Sequence, residues 1–416
     1  MADRAAGRST AAPSAKLRPA HCAVLALVVW ALVWSIHLAV LDLPANRPVG
    51  LAAAADSRAR RARRAHAGLV MDDGTVVPVK RSTRPEVVLP DRTALLAERQ
   101  LTLVLLASAD DEEGFPRLES CAEALSAFAS PPSIAELLVV APTAQHATFE
   151  AHATLRRLPF AWRVVDDAAL LSQSASYFQR YTPRREWRER GGRGVAYRLQ
   201  MLLKLAAAAV VSTEFYVTLD QDVLLAQPLA FASLVSPDGK ALVQGEAWPY
   251  ARRHDISWWA AADRALRAGG CVLHAGTEGA GWERALRGAT IGVTPAVLSR
   301  SIALRTMARI EEANGGRWWG AAWDEILFRL LLQAPDQYNW SEYTLYWTAG
   351  CEWRAADGTS ALERLHAPPA RGAKSIYDET GFEWGDWEAW RPEAVFGKDA
   401  PALFAVLQSN SGVNAG

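Results

Sequence analysis

One stretch constrains this chain more than any other: QMLLKLAAAAVVSTEFYVTLDQDVLLAQPL, residues 200–229. Small and straight-chain residues from Gln200 to Val211 predict a helix. Phe215 to Leu219 then reads as a buried strand that ends in Asp220-Gln221-Asp222, followed by apolar Val223, Leu224 and Leu225. An apolar strand whose carboxyl end presents acids two residues apart is a chemical signal. Side chains at i and i+2 share a face in a regular strand, and a bend there would aim them apart. Hard cations such as Mg²⁺ and Mn²⁺ take carboxylate oxygens together with phosphate oxygens. The competing reading is a loop with two solvated acids.

The flanking sequence supplies the frame. LTLVLLAS (101–108) and IAELLVVAP (134–142) read as strands, as does 161–165, with a helix over 119–128 between the first two. Strands alternating with helical stretches argue for an α/β fold, a mostly parallel sheet flanked by helices. Ligands in such sheets bind beyond the carboxyl ends of the strands. No GxGxxG follows the first strand, and no P-loop, GxSxG or HExxH occurs.

The N-terminal part reads differently. Residues 1–20 are small, polar and basic, a cytosolic tail, and residues 21–43 form an apolar run long enough to cross a bilayer as a helix. The run exceeds a signal-peptide core, which favours a retained signal-anchor over a cleaved leader or a buried soluble helix. Basic residues ahead of it favour a cytosolic N-terminus, although SRARRARR (57–64) on the far side weakens that orientation. Residues 44–97, rich in Ala, Arg and Pro, read as a stem, and 98–416 as the folded domain.

With 45 basic and 45 acidic residues the chain lacks the cationic excess that drives nucleic-acid binding, so nucleic acid is not expected as a partner. Cys22, Cys121, Cys271 and Cys351 have no metal-ligand spacing; buried small hydrophobes are the simplest reading, with one bridge among the last three open. Many of the 17 tryptophans, Trp318 and Trp319 among them, lie beyond residue 245, where they serve packing or offer platforms to sugar rings.

Several further residues carry candidate chemistry. Gln200 and Lys204, four apart on the helix before the acids, share a face and could line a donor site, with Lys204 meeting phosphate. Gln244, Gly245 and Glu246 precede an aromatic segment, Trp248 to Trp259, within which His254 and Asp255 could bind substrate. ATIGVTPAVLSR (289–300) reads as a strand, a turn at Pro295 and a helix start; 318–332 reads as an apolar helix. Glu342 has two readings of equal weight: a buried general base with a raised pKa, or a first-turn acid behind a Ser341 cap. Asn339-Trp340-Ser341 is a glycosylation sequon. His366 is a candidate to complete a metal site with Asp222, and Gln408, Ser409 and Asn410 are weak candidates for ligand contact.

The ordered set QMLLKL, YVTLDQDVLLAQP, IGVTPAVLSR, WWGAAWDEILFRLL, NWSEYTLY and LQSNSG resembles the DUF6492 family, which looks related to nucleotide-diphospho-sugar transferases of the GT-A type. The resemblance spans roughly residues 100–412. It implies one GT-A-like α/β domain, with Asp220 and Asp222 as the metal and donor acids and Lys204 as the lysine of the preceding helix. Ser341, Glu342, Tyr343 and Tyr346 match the family's SEY-x-LY segment, while Gln221 stands where the family usually has a small or acidic residue. The implied activity is transfer of a sugar from a nucleotide-diphosphate sugar to a glycan or glycoconjugate with Mn²⁺ or Mg²⁺, Asp222 and Glu342 being catalytic. With the N-terminal run, the whole reads as a single-pass type II Golgi membrane enzyme. A metal-dependent nucleotidyl- or phosphotransferase and a non-catalytic carbohydrate-binding protein are the alternatives.

Overall fold

The computed structural model describes residues 69–70, 76–77, 87–109, 114–171, 195–243, 251–269, 294–318, 320–334, 337–367, 377–379 and 402–406. The chain divides into two compact units, Met1–Val76 and Val77–Gly416. Among the described residues the first holds the short strand Leu69–Val70. All that follows concerns the second.

Its strands are β1 (Leu101–Leu106), β2 (Ile134–Ala141), β3 (Trp162–Asp166), β4 (Phe215–Asp220), β5 (Val223–Leu225), β6 (Ala241–Leu242), β7 (Ala296–Ser299), β8 (His366–Ala367), β9 (Tyr377–Glu379) and β10 (Phe404–Val406). The longer helices are α1 (Gly114–Phe128), α2 (Val195–Ala206), α3 (Ala251–Leu266), α4 (Arg300–Asn314), α5 (Trp323–Gln333) and α6 (Glu342–Glu352). The central sheet has five strands in the order β3-β2-β1-β4-β7. β1 to β4 run parallel, and β7 closes the edge antiparallel to β4. A second, three-stranded sheet, β9-β10-β5, continues from the turn after β4.

The sheet forms as its sequence dictates. All six residues of β1 are buried, because a central parallel strand is covered on both faces. Thr102, the polar exception, is satisfied from inside: its N–H donates 3.0 Å to Thr213 Oγ1, and the two hydroxyls bond at 2.9 Å. α4 packs on α5 and α6, and α6 on α3, around buried Trp340, Tyr343, Tyr346 and Trp347. Cys351, in the last turn of α6, is disulfide-bonded, whereas Cys121 is a free, buried thiol.

Three elements fall elsewhere than the sequence suggests. The helix before the acids starts at Val195 and tightens into a 3₁₀ turn at Ala207–Ala209. A strand, β7, follows Pro295 where a turn and helix start are expected, while the strand expected before it, at 289–293, lies outside the described residues. The helix expected from Trp318 begins at Trp323, because Gly320 sits at φ 76° in the left-handed region, which no helix tolerates.

The expected signal-anchor is corrected. No helix among the described residues is long and apolar enough to cross a membrane, and the run at 21–43 lies outside them. The longest described helix, α3, has 16 residues with charges throughout; at about 1.5 Å per residue it falls short of a hydrocarbon core of about 30 Å. Apolar content along a sequence is a necessary condition for a span, not a helix. The transmembrane segment, the membrane as partner and the type II Golgi placement that rested on it are not carried forward.

At the amino end of β4 two carboxylates meet. Glu98 Oε1 accepts the Glu214 N–H at 2.9 Å, and Glu214 accepts from the Ser299 hydroxyl at 2.5 Å and the Ser301 hydroxyl at 2.9 Å. Burial raises both carboxyl pKa values, and Glu214 adds to the rise at Glu98. An acid with a folded pKa above its unfolded one binds its proton more tightly when folded. Its contribution is fully present below the unfolded pKa and is lost as pH rises through the folded value. Glu98→Gln keeps the acceptor for Glu214 and removes the charge. It is expected to raise the thermal midpoint at pH 7.5 but not at pH 4, in paired thermal melts.

Candidate active site at the end of β4

The chain leaves β1 for β2 and β3 on one side and returns at β4 on the other. That reversal opens a crevice at the carboxyl ends of β1 and β4. Leu106 of β1 is paired there with Asp220, the last residue of β4. Gln221 and Asp222 form the turn that leads into β5.

α2 delivers a cation to this point. Tyr216 of β4 donates its hydroxyl to the Lys204 carbonyl at 2.9 Å, fixing helix to strand. Lys204 is only 5 % exposed, and its ammonium donates to Asp220 Oδ2 at 3.1 Å and to Thr294 Oγ1. Glu342 Oε1 lies 3.7 Å away, and the ammonium sits 5.9 Å from the centroid of the Tyr343 ring. The Tyr343 hydroxyl bonds Thr218 Oγ1 of β4 and Thr294 Oγ1, each at 3.1 Å. Burial alone would lower the Lys204 pKa; the Asp220 carboxylate, with Tyr343 and Glu342, outweighs it and raises the pKa above the ordinary lysine value. Burial raises the Glu342 carboxyl pKa, with Lys204 opposing.

Glu342 opens α6, and the Ser341 hydroxyl caps that helix by accepting the Thr344 N–H at 3.2 Å. The segment before the cap is held by Arg198 of α2, which donates to the Trp340 carbonyl and to Asn339 Oδ1. The sequon asparagine is therefore engaged within the fold. Burial, the raised pKa and the N-cap, read from sequence as alternatives for Glu342, occur together here.

Of the residues singled out in the sequence, Asp220, Lys204 and Glu342 come together. Asp222 sits in the turn, near enough to Cys121 on α1 that, after burial itself, its charge helps push that thiol up to about 12. The bend after β4 thus gives the two acids different surroundings, α2 for Asp220 and α1 for Asp222. Gln200 lies exposed on α2, one turn from buried Lys204. The side chains of His254 and Asp255 and the segments 244–246 and 408–410 lie outside the described residues. Trp318 lines a cavity of about 420 Å³ with Arg317, Gly320, Ala321, Glu325 and Arg329.

His366 requires correction. It is fully buried, bonds the Tyr346 hydroxyl at 2.7 Å through Nε2, and packs edge-on against Phe215, Tyr346 and Trp347. Phe215 begins β4 and Asp220 ends it, so the imidazole lies beside the wrong end of the strand, roughly 16 Å from the acids at about 3.3 Å per residue. Burial holds its pKa down to about 3, as befits a neutral core histidine. It does not complete a metal site with Asp222.

The remaining donor set still fits a hard cation. Among the described residues no group of three or more His, Cys, Asp or Glu is gathered to cage a metal. Mg²⁺ and its relatives do not need one, since one or two carboxylates, substrate phosphates and water suffice. Asp220 Oδ1 is buried with no hydrogen-bond partner, and Asp222 follows two residues on. An orphaned buried carboxylate oxygen is costly unless something accepts its charge. Sequence reasoning missed Thr218, Thr294 and Arg198; of these only Thr218, a polar residue inside an apolar strand, left a signal.

Removing the cation isolates two acids. Lys204→Met is expected to lower the unfolding free energy by about 3 kcal/mol, measured by urea denaturation. Adding Glu342→Gln is expected to recover part of that loss, because the orphaned charge is then gone.

No curated protein matches the sequence. Among solved structures the chain is similar to mouse xyloside xylosyltransferase 1 in its apo form, at 16% identity and TM-score 0.40, over 76% of this chain and 99% of that one. It is also similar to glucosyl-3-phosphoglycerate synthase from Mycobacterium tuberculosis in complex with Mg²⁺ and uridine diphosphate, at 16% identity and TM-score 0.27, over 56% and 71%. Residues 98–415 match the family of unknown function DUF6492, and the chain belongs to that family.

Proposed function

We propose that this protein is a metal-dependent glycosyltransferase that moves a sugar from a nucleotide-diphosphate sugar to a glycan or glycoconjugate acceptor. The observation that carries the reading is Asp220 at the switch point of the sheet, with Oδ2 held by Lys204 and Oδ1 buried and unpartnered. Asp220 and Asp222 would hold Mn²⁺ or Mg²⁺. Bound there, such an ion supplies Lewis-acid neutralisation of a departing diphosphate.

The chain's own residues then have distinct tasks. Asp220 and Asp222 bring negative charge to the crevice without blocking it, since the strand ends beneath them. Lys204 directs its N–H donors to Asp220 Oδ2 and Thr294 Oγ1 and faces Glu342, so its task in this reading is to fix Asp220 rather than to reach phosphate. Glu342, 3 % exposed and facing Lys204, belongs to the same charge set rather than to the acceptor. Gln200, exposed one turn along α2, remains a candidate for donor contact.

The test is nucleoside diphosphate release by the full-length protein across UDP- and GDP-sugars with Mn²⁺, with and without pooled glycan acceptors. Release is expected with one donor, abolished by EDTA, and reduced roughly 100-fold or more in Asp222→Ala. Release of sugar 1-phosphate or of a nucleoside monophosphate would point instead to attack at phosphorus. Glycan binding that survives loss of both aspartates, with no turnover of any donor, would point to a binding protein.

A further inference from the structure

The residue between the two acids looks like a spacer in the sequence, and the structure gives it two bonds. Gln221 Oε1 accepts the Ser108 N–H at 3.1 Å, and Gln221 Nε2 donates to the Ser108 carbonyl at 3.2 Å. Ser108 lies two residues past the end of β1, and Leu106 is the last β1 residue in the ladder with β4, opposite Asp220. Beyond that rung the β4 backbone turns away. The side-chain carboxamide, with one donor and one acceptor in a plane, takes the place of a peptide group and adds a rung.

A second glutamine acts on the next residue. Gln145, in the 3₁₀ turn after β2, accepts the Ala109 N–H at 2.8 Å. Consecutive N–H groups of the β1 loop are thus taken by Gln221 from β4 and Gln145 from β2. Only the first of these bonds touches the acidic turn.

We infer that Gln221 is a positioning residue for the acid pair, pinning the turn to the β1 loop so that Asp220 and Asp222 keep a fixed spacing at the crevice. The inference rests on the proposed metal role of those acids. Lys204 fixes Asp220 from the α2 side. Asp222 lies between two restraints, the carboxamide bridge at Gln221 on one side and Val223, paired with Val406 of β10, on the other. Outer-shell bonds of this kind hold ligand oxygens in place, and their loss typically weakens metal binding about 10–100-fold. A glutamate at this position could not make both bonds, because a carboxylate accepts but does not donate.

The experiment titrates full-length protein with Mn²⁺ alone, following the free-ion six-line EPR signal. Native protein, Gln221→Met, Gln145→Met and Asp222→Ala are compared, each with its thermal midpoint. Methionine keeps the length of the side chain and removes its hydrogen bonds. Gln221→Met is expected to bind Mn²⁺ roughly tenfold more weakly than native protein, with a thermal midpoint close to that of Gln145→Met. Gln145→Met, which loosens the same loop without touching the acids, is expected to bind as the native protein does. Equal affinity of Gln221→Met and native protein would overturn the inference. So would an equal loss in both glutamine variants, which would mark loop stability rather than placement of the acids. No Mn²⁺ binding by native protein, or binding unchanged in Asp222→Ala, would remove the metal reading and this inference with it.

Discussion

The Lys204 ammonium is the interaction on which the rest of the site depends. A lysine enclosed to this degree loses its hydration, and only charge and hydrogen-bond partners of good geometry make its charged form tenable. Asp220 and Thr294 accept from it, and Glu342 and the Tyr343 ring face it. Those four partners come from three places in the chain: the end of β4, the residue before Pro295, and the first two residues of α6. The lysine therefore ties α2, β4, β7 and α6 into one arrangement. Its removal would affect the fold as well as the chemistry.

Much of this was legible in the sequence, for a physical reason. A buried parallel strand is written as an apolar run, so acids at its end stand out, and the helix before it carries its lysine at a readable position. The strand boundaries of β1 to β4 follow the same logic. Pairings between distant segments were not legible. Thr294 and Thr218 meet through Tyr343 only because β7 lies antiparallel to β4, and nothing in the residues around Pro295 fixes that direction. His366 failed for the complementary reason. A histidine next to apolar residues reads as a candidate ligand, while its depth and its end of the sheet are set by contacts with Phe215 and Trp347.

The two ends of β4 carry opposite solutions to the same problem. At the amino end, Glu214 is satisfied by hydroxyls and presses on Glu98 with like charge. Burial there raises carboxyl pKa values, and the groups are closed off by their own hydrogen bonds. At the carboxyl end the acids keep a cation within reach and leave an oxygen without a partner. Structural carboxylates are used up by the fold. Asp220, at the other end, is held at Oδ2 by Lys204 and has no partner at Oδ1.

The charge at the crevice also bears on which ligand could enter. On the buried side, Lys204 offsets Asp220 and Glu342, and Arg198 lowers the Glu342 pKa in the same sense. Asp222 adds a carboxylate on the outer side, where its charge is felt by Cys121. A diphosphate approaching that turn alone would meet a like charge, which disfavours it unless a cation stands between. Lys204 cannot move to that position without leaving Asp220 and Glu342 uncompensated. A cation arriving from solvent would give the unpartnered Asp220 oxygen a partner and would stand between the diphosphate and the turn. Under the proposed function the site therefore suits a metal-bound diphosphate better than a bare phosphate or a neutral sugar.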